Sequence, residues 1–592
     1  MRSQTVDAAR ELAGWSQQLF LCCSDQLNGT VAITPQYTRS FHSYQLASCL
    51  FGSDCFTNTC LKKTITVSGS QVPGRLATDW LADYAGLPTD FQSTITFNPV
   101  VDSFLFDINA YLGRDCWYPG LFFKIQAPIV NLRTSLKFSE KVTSPGVNNY
   151  AAGYFGPNPV VRSNLLTTFT DFIGDSQTPE IDPLNGVNFL PLCAGKLGVP
   201  CIERLEETRL SDIEVVLGWN FLLEPDYCLG AGMVVRGPTG THVRGTFLFE
   251  PQIGNGHHWE LGAFIPAQWT CWNNESTDRS LTFTFEAYLT HLFSAHQCRT
   301  FDLKNNGCSS KYMLAELLAT PVGPFLFGNG SNNPGGPTAG TFQPEVQFQN
   351  IYSPVANLTH IPVIVSNAIQ ADIALMLSYQ HCSLCYDFGY DFWAKSRNKI
   401  RVCNTTALSS QQWALKGDAF TYGFGASNAI IGTQANIALS ATESLATIHA
   451  GTNTPAGTQF TSAQQQNPGI DNPQFGVTSR VIADATDYIN YVPGATALAA
   501  NQQRTSLAPI LLTAADIDVD KERVSAYSNK FFTHISYTWP DEYFWNAYIG
   551  LGGFIEQAHT KAKKIKNCPS AGKPCNCAVS QWAIWIKGGL SF

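Results

Sequence analysis

Hydrophobic and polar residues alternate along stretch after stretch of this chain. In SLCYDFGYDFWAK, Leu384, Tyr386, Phe388, Tyr390, Phe392 and Ala394 are apolar, and the odd positions are Ser383, Cys385, Asp387, Gly389, Asp391, Trp393 and Lys395. Just upstream, Ile373, Leu375, Leu377 and Tyr379 alternate with Asp372, Ala374, Met376 and Ser378. A period of two marks strands with one apolar face, and a turn near His381 and Cys382 makes these two a hairpin. Four more hairpins follow the same rule. They turn at WYPG after Phe104 to Leu112, at EPDY after Ile213 to Phe221, at WNNESTDRS after Trp259 to Ile265, and at WPDE after Phe531 to Tyr537.

The alternation places strands at 29–41, 103–113, 120–132, 211–223, 228–238, 257–271, 280–293, 369–380, 383–395, 412–424, 530–539, 542–556 and 581–592. A closed up-and-down barrel with an even count needs one more, and NIALSATESLATIH, 436–449, supplies a fourteenth. KTITVSGS and STITFNPV would raise the count to 16. The remaining connections are long, near 42–102, 133–210, 294–368, 450–529 and 557–580, with helical-looking pieces such as RLATDWLADYAG and SSKYMLAELLA. Short turns at one end and long loops at the other are the asymmetry of outer-membrane barrels. The expected fold is therefore all-β, a transmembrane antiparallel barrel over 29–592 preceded by a periplasmic helical segment, 1–28. A soluble sandwich would also alternate, but its apolar faces would have to meet each other.

A Lys or Arg at the middle of a lipid face costs about 2–4 kcal/mol, so the apolar parity points outward. The lumen then receives Asp107, Lys124, Asp212, Glu214, Arg236, Glu260, Glu286, Asp372, Asp387, Asp391, Lys416, Asp418 and Lys587. Trp117, Tyr118, Tyr227, Trp272, Trp539 and Tyr543 lie beside the short turns, as an interfacial aromatic girdle would.

Composition agrees with this picture. Charged residues are 14% and aromatic residues 12% of 592, and no apolar run is long enough for a membrane helix. The net charge of −8, with no basic stripe to offset it, argues against nucleic acid. Eighteen cysteines suit an oxidising compartment. Cys193 and Cys201, Cys298 and Cys308, and Cys568, Cys575 and Cys577 are close in sequence. Cys116, Cys228, Cys271 and Cys382 fall at predicted turns, where they or Cys22 and Cys23 are candidates to brace the rim. The first residues lack a secretion signal and read as an amphipathic helix with Leu12, Trp15 and Leu19 on one side.

The segments NYAAGYFGP, SDIEVVLGWNF, GNGHHWELGA, THLFSAHQCRTFDLK, SKYMLAEL, ALKGDA, LSATESLATIHAGTN and SQWAIWIKGGLSF together resemble the large outer-membrane β-barrel proteins of Dependentiae, bacteria living inside protists. The likeness runs through most of the chain in order. It implies an abundant porin-like protein and brings no catalytic residues. In composition the chain is also similar to chlamydial major outer-membrane porins, where disulfides stiffen the envelope. The terminal strand with Ile584, Ile586, Leu590 and Phe592 resembles the signal read by the barrel assembly machinery.

Other chemistry finds little support. Cys382 and Cys385 lack a second ligand pair for zinc. Asp516 to Glu522 has the spaced carboxylates of a calcium loop but Lys521 at the turn glycine's place. No Ser, His and Asp converge on facing strand ends, so neither catalysis nor a cofactor is expected. The expected function is a porin-like channel for small hydrophilic solutes, trimeric as porins commonly are, with both termini in the periplasm. The alternative is a structural coat or adhesin whose loops occlude the pore; a secreted adhesin without a barrel would leave the lipid-facing strips unexplained.

Overall fold

The computed structural model describes residues 2–15, 27–51, 64–114, 119–150, 155, 160–173, 204–319, 325–326, 341–342, 347–405, 408, 410–417, 421–423, 438–440, 446–450, 511–539, 545–561 and 577–592. Its centre is a closed antiparallel barrel of 12 strands. In chain order they are β1 (Leu27–Phe41), β2 (Val100–Arg114), β3 (Leu121–Ser135), β4 (Ile213–Leu223), β5 (Tyr227–Gly237), β6 (Glu260–Asn274), β7 (Arg279–Thr300), β8 (His360–His381), β9 (Leu384–Lys395), β10 (Ser525–Trp539), β11 (Asn546–Lys561) and β12 (Ser580–Ser591). Each pairs with the next, and β12 returns to β1 from Phe41 opposite Ser580 to Thr30 opposite Ser591. Closure leaves no open edge. Phe592 finishes the seam by exchanging backbone hydrogen bonds with Gly29.

Twelve of the fourteen expected strands are barrel strands. The 412–424 and 436–449 stretches are not. Gln412–Leu415 pairs with Leu314–Ala319 in a separate sheet, and Ala438–Ser440 joins the same sheet beside Gln347–Pro354. KTITVSGS and STITFNPV do pair, Ile65 opposite Ile95, but in a small sheet of their own away from the barrel wall. Alternation reports one buried face, and Trp413, Ile65, Val67 and Ile95 bury theirs among neighbouring loops instead of in a barrel. Two strands outside the barrel circuit, Leu205–Leu210 and Lys399–Val402, extend its wall at the long-loop end by pairing with β3 and β8.

Those loops share a hydrophobic core beyond the barrel, where Phe51, Trp80, Phe97, Tyr312, Met313, Leu314, Trp413 and Ile517 are buried together. The stretches expected to look helical contribute to it as short 3-10 turns, Ala82–Ala85 and Ser310–Tyr312, and as the strand Leu314–Ala319. One connection was not anticipated as long. Residues 238–259, between β5 and β6, fold back into the barrel mouth, where Ile253 is buried against Val101, Leu105, Val130 and Leu132.

The outer face is apolar around the circumference. Phe106, Ile129, Leu217, Met233, Leu261, Leu377, Phe388, Phe531, Leu551 and Ile584 all point out and are exposed.

Candidate functional site

The expected charged side chains converge in the lumen. Asp107, Lys124, Asp212, Glu214, Arg236, Glu260, Glu286, Asp372, Asp387, Asp391 and Lys587 are all buried. Asp212 lies just before β4; the others lie on the barrel strands, on the parity opposite the apolar belt. Lys416 departs from the expectation: it follows the separate strand Gln412–Leu415 and sits over the Phe155 ring among the loops. Asp418 lies outside the described residues.

The middle of this lumen is occupied by the chain itself. Residues 2–15 run from the long-loop mouth down toward the tight-turn end, and the segment expected to stand before the barrel lies inside it. A short helix, α1 (Ala8–Leu12), is capped at its start by Asp7, whose carboxylate accepts from the Arg10 N–H. At its other end the Lys587 ammonium donates to the carbonyls of Arg10, Glu11 and Ala13 at 3.2, 2.6 and 2.8 Å. Those carbonyls have no partner within so short a helix, and a cation there also meets the negative end of its dipole.

Ion pairs fix the segment along its length. Arg2 reaches Asp391 at 3.0 Å, Asp372 and, at 3.5 Å, Glu556. Arg10 reaches Asp107 at 2.7 Å, Lys530 reaches Asp7 at 2.7 Å, and Lys124 joins Glu11 to Glu286. The Ala8 N–H donates to Asp372 and the Gly14 N–H to Asp387, at 3.0 and 2.8 Å. Trp15 donates its indole N–H to the Tyr548 hydroxyl at 2.6 Å and lies beneath Lys587. Near the long-loop mouth, Ser3 donates to Asp212, and the Gly254 N–H of the inward-folded loop donates to the Gln4 side chain, both at 2.8 Å.

The void beside the segment, lined by Arg2, Asp7, Arg10, Gln36, Lys530 and Phe554 among others, holds about 30 Å³. That is room for a single water.

Sequence reasoning placed the wall and missed the plug. The available signal was the density of charge at the start: Arg2, Asp7, Arg10 and Glu11 fall within eleven residues of a chain otherwise poor in charge. A surplus of inward acids also called for cations from elsewhere.

Of the aromatic girdle, Tyr227, Trp272 and Trp539 are exposed at the tight-turn end; Trp117, Tyr118 and Tyr543 lie outside the described residues. Ile584, Ile586 and Leu590 face outward, and the Phe592 ring packs on Trp545. The candidate disulfide cysteines divide. Cys577 is bridged to Cys49, in the loop helix Ser43–Phe51, so the bond joins a loop to the start of β12. Cys271, Cys298 and Cys382 carry free thiols, which removes the Cys298–Cys308 pair and bracing through Cys271 or Cys382. Cys228 and Cys308 are buried. Cys22, Cys23, Cys116, Cys193, Cys201, Cys568 and Cys575 lie outside the described residues. In the acidic loop, Asp516 accepts from the Thr513 N–H and hydroxyl, and Lys521 pairs with Asp302 at 2.5 Å.

No protein-family model matches the sequence, and no curated protein matches it either. Among solved structures the chain aligns with the TodX deltaS2S3 mutant monoaromatic hydrocarbon channel at 6% identity and a TM-score of 0.27, over 96% of this chain and 90% of that one. It aligns with the outer membrane protease OmpT from Escherichia coli at 7% identity and 0.19, over 96% of each. A Pseudomonas aeruginosa FadL homologue gives 6% and 0.20, over 96% of this chain and 90% of that one. At such values the likeness reaches no further than the barrel architecture that the strand pairing already defines.

Proposed function

We propose that this chain is an outer-membrane channel closed by its own N-terminal segment, and that small hydrophilic solutes cross when the segment leaves the lumen. The observation that carries the proposal is the docking of residues 2–15 through ion pairs on a band of buried charged side chains, beside an apolar contact of Leu12 and Trp15 with Phe122, Phe264, Phe532 and Trp585. The apolar contact alone would hold a permanent core, and the ion pairs beside it add little net stability, because buried ion pairs recover little beyond their desolvation cost. Vacated, the charged band is suited to water. Twelve strands about 4.8 Å apart, tilted near 40°, give a backbone diameter of roughly 24 Å and a lumen of roughly 12 Å between side chains.

On the wall, acids such as Asp107, Glu214, Glu260, Asp372, Asp387 and Asp391 outnumber Lys124, Arg236, Lys530 and Lys587. The open state therefore favours cations. The apolar belt supports a membrane setting, with the tight turns and the C-terminal strand end on the periplasmic side; the N-terminal residues, expected there too, lie in the lumen toward the long-loop mouth. Assembly through Ile584, Ile586, Leu590 and Phe592, and a trimeric state, belong to the same proposal.

Planar-bilayer recordings of the full chain and of a chain lacking residues 2–15 test it. The full chain should be closed for most of the record and the shortened one open, with reversal potentials in a KCl gradient favouring potassium. A shortened chain that inserts yet never conducts would leave the structural reading. One observation favours that second reading: the loops build a hydrophobic core of their own and are tied to β12 by the Cys49–Cys577 bond, as a coat presented outward would require.

A further inference from the structure

The outer flank of the barrel carries a basic pocket that the channel reading leaves unused. After β9 the chain turns at Ser396 and adds the short strand Lys399–Val402 to the long-loop end of β8. Period two then puts Arg397, Lys399 and Arg401 on one face, and all three are exposed. With Arg523, Asn398, Ser294 and Ser366 they line a cavity of about 630 Å³. This is the basic stripe that the net charge of −8 concealed.

The pocket is held firmly. Asn367 donates to the Ser396 carbonyl and the Asn398 side chain at 2.9 and 2.8 Å, and Ser396 exchanges hydrogen bonds with the Ile369 backbone. Arg523 is fixed by the Ile400 carbonyl at 2.9 Å and by Asp520 at 2.8 Å. Among the described residues, Arg397, Lys399 and Arg401 have no acidic partner. Directly below lie the last apolar residues of the belt, Trp259, Phe293 and Ile369, each about half exposed.

An apolar wall that ends at three unpaired cations is the profile of an amphiphile, with hydrocarbon along the strands and an anionic head above them. We infer that this flank binds a membrane lipid whose headgroup carries phosphate, with its acyl chains on Phe293 and Ile369 and its phosphate oxygens on Arg397, Lys399 and Arg401. Guanidinium forks match phosphate oxygens bidentately, and a site at the membrane surface gains from each cation. The inference rests on the membrane reading above.

Native mass spectrometry of the full chain in a zwitterionic detergent tests it, with diphosphorylated lipid A and phosphatidylcholine as the added lipids. One lipid A should be retained per barrel and no phosphatidylcholine. The triple variant Arg397→Ser, Lys399→Ser, Arg401→Ser should bind lipid A roughly a hundredfold more weakly, three surface cations having been lost. A variant carrying Arg397→Lys and Arg401→Lys should recover most of the retention. Folding of each variant is read from its heat-dependent gel mobility. Equal retention by a folded triple variant overturns the inference, as does complete displacement of lipid A by an equal concentration of inorganic pyrophosphate, which marks a site for soluble anions. Bilayer insertion separates the two readings: a barrel that inserts normally but retains no lipid A sinks the inference alone, and one that cannot insert sinks the membrane reading.

Discussion

Replacing Lys587 by Met should loosen the plug without disturbing the barrel. The ammonium is fully buried on β12 and donates to three carbonyls at the end of α1. Hydrogen bonds to a charged group contribute about 1.5–3 kcal/mol each. Their sum overstates the effect, because removing the lysine also removes a desolvation cost of several kcal/mol. What remains is chiefly three buried carbonyls stripped of their donor, so docking should weaken by about 3 kcal/mol. An undocked population would then rise about a hundredfold.

The assay places a cysteine at Ala9, which is fully buried in the docked segment, and follows maleimide addition by mass spectrometry of the N-terminal peptide. Labelling should be slow in the parent and about a hundredfold faster with Lys587→Met, while Lys587→Arg should stay within a few-fold of the parent. The reasoning fails if position 9 in the parent reacts as fast as the exposed Cys271, or if Lys587→Met leaves the rate unchanged.

Three further outcomes are expected. Gly14 has φ +76° and an added Cβ would lie 2.5 Å from the His534 ring, so Gly14→Val should also undock the segment and raise open probability in bilayer recordings. Leu551 is 62% exposed on the belt, so Leu551→Lys should cost about 2–4 kcal/mol in urea refolding into vesicles if it sits near mid-bilayer. In the loop core, burial pushes the Asp302 carboxyl up, but Lys521 and Lys311 outweigh it and hold the group below its ordinary 3.8. A depressed acid stabilises the fold above its unfolded value and loses that contribution as pH falls through the folded one. Limited proteolysis of 511–524 should therefore be slow at pH 7 and speed up below about pH 4. Lys521→Met should speed it already at pH 7, by leaving Asp302 without its closest cation.

Much of the barrel was legible because its cause is local. A strand between hydrocarbon and a polar lumen must alternate residue by residue, so Phe104 to Leu112 or Phe531 to Tyr537 announce themselves without any neighbour. The parity that sends Asp107, Glu286 and Asp391 inward follows from the same cost. Alternation cannot name the partner of the apolar face, however. Trp413 and Leu415 turn theirs to a loop core and not to lipid, and this is why the expected strand at 412–424 left the count.

Twelve barrel strands, their tight turns and the two faces of the sheet could thus be read locally, since each depends on residues a few positions apart. The closure of β12 on β1, the bridge from Cys49 to Cys577 across 528 positions, and the occupation of the lumen arise only in the folded chain. Arg2 meets Asp372 and Asp391, and Arg10 meets Asp107, across separations of about a hundred to four hundred residues. Charge pairing at that range leaves no period in the chain. It exists once the strands have closed around a polar interior, where an unpaired acid is costly and the nearest cations are those at the beginning of the same chain.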